Sequence, residues 1–110
     1  MCYSYVGVNM KIVIDNKTYD IEMYNNPLKR LVGFMFKKNI DKIICFKHCN
    51  SIHTFFMKCD IAVLMFDKNL NLLHIERCMK KNKVLIKKGV YYTIELNPNL
   101  IEKNSKVYII

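Results

Sequence analysis

At 110 residues the chain is long enough for one domain and too short for two that each bury a core; with 52% hydrophobic and 25% charged residues it is far from disordered in composition. Lys and Arg number 18 against 9 Asp and Glu, and the net charge of +9 favours an acidic partner: nucleic acid, an anionic membrane or an acidic protein. Sixteen of those cations are Lys, and Lys, Asn and Ile make up 42 residues, as an AT-rich coding bias would produce. A surface nearly free of guanidinium groups argues against nucleic acid and leaves an acidic protein or a small anionic ligand as the expected partner.

Residues Met1 to Asn9 show neither the basic nor the apolar region of a secretory signal, so they read as a loose extension ahead of a single domain over 10–110 in a cytoplasmic protein. From Lys11 to Tyr24 apolar residues alternate around Asp15-Asn16-Lys17, which predicts a β-hairpin. Asn26-Pro27 then supplies an N-cap and a first-turn proline, and Leu28, Leu31, Val32 and Met35 recur at helical spacing, so a short amphipathic helix is expected over 27–37, with Gly33 marking close packing. Beyond it the runs 42–47, 54–58, 62–67, 72–77, 84–87, 90–96 and 106–110 read as strands, with Lys68-Asn69-Leu70-Asn71 as a hairpin turn and a helical turn within 98–104. The longest apolar run, Ile61 to Phe66, falls well short of the ~20 residues of a membrane-spanning helix. The expected fold is mainly β: an antiparallel β-sandwich or small barrel of about seven to nine strands with one short helix.

Five cysteines, an odd number, read as free thiols. Cys45, His48, Cys49, His53 and Cys59 have the ligand chemistry of zinc but no Cys-x-x-Cys knuckle, so neither a metal site nor a cofactor is expected. Cys49 with His53 is a candidate nucleophile pair, although none of Gly7, Gly33 and Gly89 lies beside it to open an oxyanion hole. Met35, Met57 and Met65 read as core. Lys80, Lys81, Lys83, Lys87 and Lys88 bracket Val84, Leu85 and Ile86 as a solvated hairpin edge, or as a docking patch for an acidic protein or polyanion with Tyr91 and Tyr108 as stacking partners.

Four segments, Arg30-Leu31-Val32-Gly33-Phe34-Met35-Phe36, Ser51-Ile52-His53-Thr54-Phe55-Phe56-Met57-Lys58, Val63-Leu64-Met65-Phe66-Asp67 and Tyr92-Thr93-Ile94-Glu95-Leu96, follow one another in the order and spacing of a known family. Over residues 11–110 the chain resembles the bacterial and archaeal domain of unknown function 192. The resemblance implies a compact, mostly β domain with one short helix, often exported in relatives, and no established activity. Where the family has Pro-Ile-Asp this chain has Asp60-Ile61-Ala62, so its carboxylate stands two residues early, on the same strand face and about 7 Å away. The motif residues Arg30, Gly33, His53, Thr54, Met57 and Lys58 are expected around a small cleft or in a packed structural node. Arg30 would bind Asp67, Glu95 or backbone carbonyls, or else an anionic ligand beside His53 and Lys58. The functional expectation is a non-catalytic binding or accessory module. The alternatives are a small hydrolase-like or thiol enzyme using His53 with Cys49 or Asp60, and a weak polyanion binder acting through surface lysines.

Overall fold

The computed structural model describes residues 10–24 and 40–110; the helix expected over 27–37, with Arg30, Gly33 and Met35, lies outside the described residues. Ten strands are described, in three sheets: β1 (Lys11–Ile14), β2 (Lys17–Asp20), β3 (Glu22–Met23), β4 (Ile44–Lys47), β5 (Ser51–His53), β6 (Ile61–Phe66), β7 (Leu72–Met79), β8 (Val84–Ile86), β9 (Tyr92–Leu96) and β10 (Val107–Ile109). A central sheet has the order β3-β4-β9-β6-β7, a second the order β10-β1-β2, and β5 and β8 form a two-stranded ribbon. Among the described residues the sheets stay open, so the fold is sandwich-like and the small-barrel alternative is set aside.

The central sheet is apolar on both faces, and each face has its own cover. Even-numbered residues of β6 and β9 (Ala62, Leu64, Phe66, Ile94 and Leu96) join Cys45 against Ile12 and Ile14 of the β10-β1-β2 sheet. Odd-numbered residues of β6 (Ile61, Val63 and Met65) join Ile44, Phe46 and Met79 against Ile52 and Met57, with Leu85 of the ribbon packed on the same cluster. This double coverage explains the unbroken apolar run of β6, all six of whose residues are buried between neighbours β9 and β7: a strand with both faces covered has no wet side on which polar residues would be placed.

Local chemistry sets the turns. Asp15 and Asn16 sit at φ 50° and 70°, the left-handed pair that closes a two-residue hairpin between β1 and β2. The Asp15 carboxylate also accepts from Ser105 Oγ at 2.7 Å and from the Lys106 amide at 3.0 Å, tying the hairpin tip to the approach to β10. The hairpin ends at Asp20 rather than Tyr24, because β3 leaves it to pair in parallel with β4, a connection for which the 20 intervening residues provide ample length.

At the β6–β7 turn Asp67 Oδ1 accepts from the amides of Asn69 and Asn71 at 2.8 and 2.9 Å, while Leu70 takes φ 67°. These bonds hold the Asp67 carboxyl below its ordinary range, the Asn71 amide first. A depressed folded-state value stabilises above the ordinary carboxylate range and stops doing so as pH falls through it. Asp67→Ala is therefore expected to lower the melting temperature by several degrees at pH 7, and by much less near pH 2, in parallel thermal scans.

Residues 54–58, expected as a strand, instead form a turn. The strand lies just before it, in β5, and the Met57 amide donates to the Thr54 carbonyl at 3.3 Å across the turn. Pro98–Leu100 forms a single 3-10 turn capped by the Asn97 side chain, within the segment where a helical turn was expected.

Candidate functional site

The His-Thr-Phe-Phe-Met-Lys segment and the lysine-rich segment after β7, read separately in the sequence, meet at Thr54. This residue is fully buried. Its Oγ1 donates to the Lys80 carbonyl at 2.6 Å and accepts from the Lys83 amide at 2.8 Å; its own amide donates to the Lys83 carbonyl at 2.9 Å, and the Asn82 amide donates to its carbonyl at 3.2 Å. Thr54 thus pins the 54–57 turn onto the β7–β8 turn. Met57 is buried beneath it, whereas Lys58 is exposed.

His53 lies on the outside of the ribbon. Its Nδ1 accepts from the Phe55 amide at 3.2 Å, and its ring stacks on Phe55 with centroids 5.1 Å apart. Neither enzyme partner expected for it is hydrogen-bonded to it. The Cys49 thiol donates to the Ser51 carbonyl at 3.1 Å. Asp60 accepts from Lys80 Nζ at 2.9 Å and from the Cys78 thiol at 3.5 Å, and the Lys80 ammonium holds its carboxyl below the ordinary range. A carboxylate so engaged is a poor proton acceptor.

The zinc-type residues scatter as well. Burial pushes the Cys45 thiol up to about 12 and raises that of Cys59, which opposes the thiolate form a metal ligand requires. Among the described residues no three His, Cys, Asp or Glu side chains gather as a metal-holding group. His48 instead pairs with Tyr91, Nε2 to Oη at 2.8 Å, which occupies one of the two expected stacking partners of the lysine patch. The other, Tyr108, belongs to β10 in a different sheet.

Of the acids expected to receive Arg30, Asp67 is committed to its own turn. Glu95 is 6% exposed, on the face of the central sheet beside Ile44 and Val63, and burial pushes its carboxyl up to about 8 with no charge or hydrogen bond among the described residues to offset it.

The feature that sequence reading missed is the outward face of the ribbon. Ile52 and Leu85 point to the core, so their neighbours point away: Val84 and Ile86 are 56% and 65% exposed. Phe55 and Phe56 extend this face into the adjoining turn, Phe56 at 65% exposure and φ 64°. A bulky side chain in the left-handed region is an outlier, so the turn carries an aromatic where Gly or Asn would fit the backbone better.

The sequence profile of the family DUF192, described as Uncharacterized ACR, matches residues 10–106. The chain belongs to this family. Two solved structures share its fold at 13% identity and a TM-score of 0.69: a protein of Sinorhizobium meliloti 1021 described as a candidate transcription regulator, covering 90% of each chain, and a protein of unknown function from Novosphingobium aromaticivorans DSM 12444, covering 91% of this chain and 83% of the other. No curated protein matches the chain. Among the described residues no helix is long and apolar enough to cross a membrane.

Proposed function

We propose that this DUF192 protein is a non-catalytic binding module that engages an anionic partner through the outer face of the β5–β8 ribbon and its 54–57 turn. The observation that carries this reading is the coincidence of exposed apolar side chains with a local excess of positive charge, offset only at Lys80 by its pairing with Asp60. Segments 50–59 and 80–91, which build the ribbon and its turns, contain six Lys and no Asp or Glu. Exposed apolar residues scattered singly mean little, but a contiguous apolar strip with a charged surround marks an interaction surface. The separate engagements of Cys49, His53 and Asp60 support a binding role over catalysis, which needs nucleophile, base and orienting group in mutual reach.

A short-chain anionic amphiphile below its micelle concentration, dihexanoyl-phosphatidylglycerol, mimics both halves of such a partner. Titrated into isotope-labelled protein, it is expected to shift amide resonances of residues 51–58 and 80–88. Shifts centred elsewhere, or none at millimolar amphiphile, would overturn the reading.

A further inference from the structure

Resting on that reading, we infer that the partner of the ribbon face is the surface of an anionic lipid bilayer, with Phe55, Phe56, Val84 and Ile86 entering the headgroup boundary and the surrounding lysines facing the lipid charges.

Three observations favour a bilayer over other anionic partners. The first is the type of cation. The six cations of the ribbon segments are lysines, in keeping with a chain in which 16 of 18 cations are Lys, and five of them are left to face outward partners once Lys80 is paired with Asp60. An ammonium is a compact point charge on a flexible stem, without the fork that grips one carboxylate or phosphate in fixed geometry. Such charges respond to the summed field of a surface, as juxtamembrane lysines do toward anionic lipid.

The second is the apolar chemistry. A single-stranded nucleic acid needs open aromatic faces on which bases stack. Phe55 already has its ring stacked on His53, at an interplanar angle of 26°. Phe56 adds one exposed ring rather than the succession of faces that stacked bases need, and Val84 and Ile86 are aliphatic, whereas all four side chains partition readily into the acyl boundary.

The third is placement. The ribbon is the outer layer over one face of the central sheet, and its alternation sends Ile52 and Leu85 inward and Val84 and Ile86 outward. The turn bearing Phe56 is fixed to the adjacent β7–β8 turn through Thr54, so the aromatic and the lysines of both turns are presented together, with little ordering left to occur on binding.

The test is co-sedimentation with vesicles of phosphatidylcholine alone and of phosphatidylcholine with phosphatidylglycerol, at 20 mM and 150 mM salt. The wild type is expected to bind the anionic vesicles, more weakly at the higher salt, and to ignore the zwitterionic ones. Phe56→Asn removes the aromatic while placing at φ 64° a residue suited to it, so it keeps the fold, and it is expected to cut binding about tenfold. Lys81→Gln and Lys87→Gln are each expected to cut it roughly fivefold.

Equal binding to zwitterionic vesicles, or unchanged binding by Phe56→Asn, would overturn the inference. So would tighter binding at 150 mM salt to duplex DNA or to an acidic peptide through the same residues. If dihexanoyl-phosphatidylglycerol maps to the ribbon while no vesicle binds, the bilayer is wrong and the binding face stands; if neither binds, both fall.

Discussion

Raising the pH from 5 to 9 is expected to destabilise the protein markedly, and Glu95→Gln is expected to abolish most of that loss. Glu95 is buried on the sheet face that also carries Ile44, Phe46, Val63 and Met65, and burial pushes its carboxyl up to about 8 from an ordinary 4.5. A raised folded-state value means that the native protein holds this proton through a range where the unfolded chain has released it. Stability is therefore fully present below the unfolded value, declines as pH climbs between the two, and is lost once pH passes the folded value. The difference corresponds to about 5 kcal/mol, on the scale of the whole stability of a small domain. Local opening that admits water to the carboxylate would cap the loss below that figure. Urea midpoints at pH 5, 7 and 9 check it. The wild-type midpoint falls across the series, while Glu95→Gln, unable to ionise, stays nearly level and crosses above it on the alkaline side. The difference between the two curves isolates Glu95, and parallel curves would contradict the assignment.

The same residue shows where sequence reading reached and where it stopped. Alternation along Tyr92-Thr93-Ile94-Glu95-Leu96 marked a strand, and β9 occupies it. Such alternation ordinarily means one wetter face, yet Thr93 and Glu95 are buried. Strand periodicity records which residues share a face, not whether another layer covers it. Here the ribbon layer covers the second face, and no local pattern announced that. Turn chemistry was more legible at Asp15-Asn16, where residue types suited to the left-handed region occupy it; in the turn after Asp67 that conformation falls on Leu70, and the turn is held by the Asp67 carboxylate on the Asn69 and Asn71 amides. Residues 54–58 misled for the opposite reason. Thr, Phe and Met favour strands, but the Thr54 hydroxyl finds its partners in a turn 26 to 29 residues away, a tertiary bond that overrides local propensity. The apolar ribbon face stayed hidden for a related reason: Val84 and Ile86 look like core residues until the register shows that Leu85 is the one facing inward. Within the His-Thr motif the threonine joins two turns, and the histidine lies outside against a phenylalanine.

Thr54→Val is the sharpest test of that joining role, and it is expected to destabilise by about 2–3 kcal/mol. Valine matches threonine in shape, so no cavity forms and packing against Met57 is kept. What disappears is the single oxygen that accepts from the Lys83 amide and donates to the Lys80 carbonyl. Both backbone groups are then left partly buried without that partner, and an unmade hydrogen bond costs more than the same bond contributes when made. Thr54→Ser keeps the hydroxyl and loses only a methyl, so it is expected to fall about 1 kcal/mol below wild type. The order wild type, Ser, Val separates a hydrogen-bond role from a packing role, for which Ser would be the worse substitution. The loss can surface in two ways. If the ribbon unfolds together with the two larger sheets, the urea midpoint drops; if it opens alone, the midpoint holds while amides of 52–57 and 82–86 exchange faster with solvent. A Thr54→Val protein unchanged in both respects would show that the turn bearing Phe55 and Phe56 is held by its own backbone and by Met57, and that the hydroxyl contributes nothing to presenting the ribbon face.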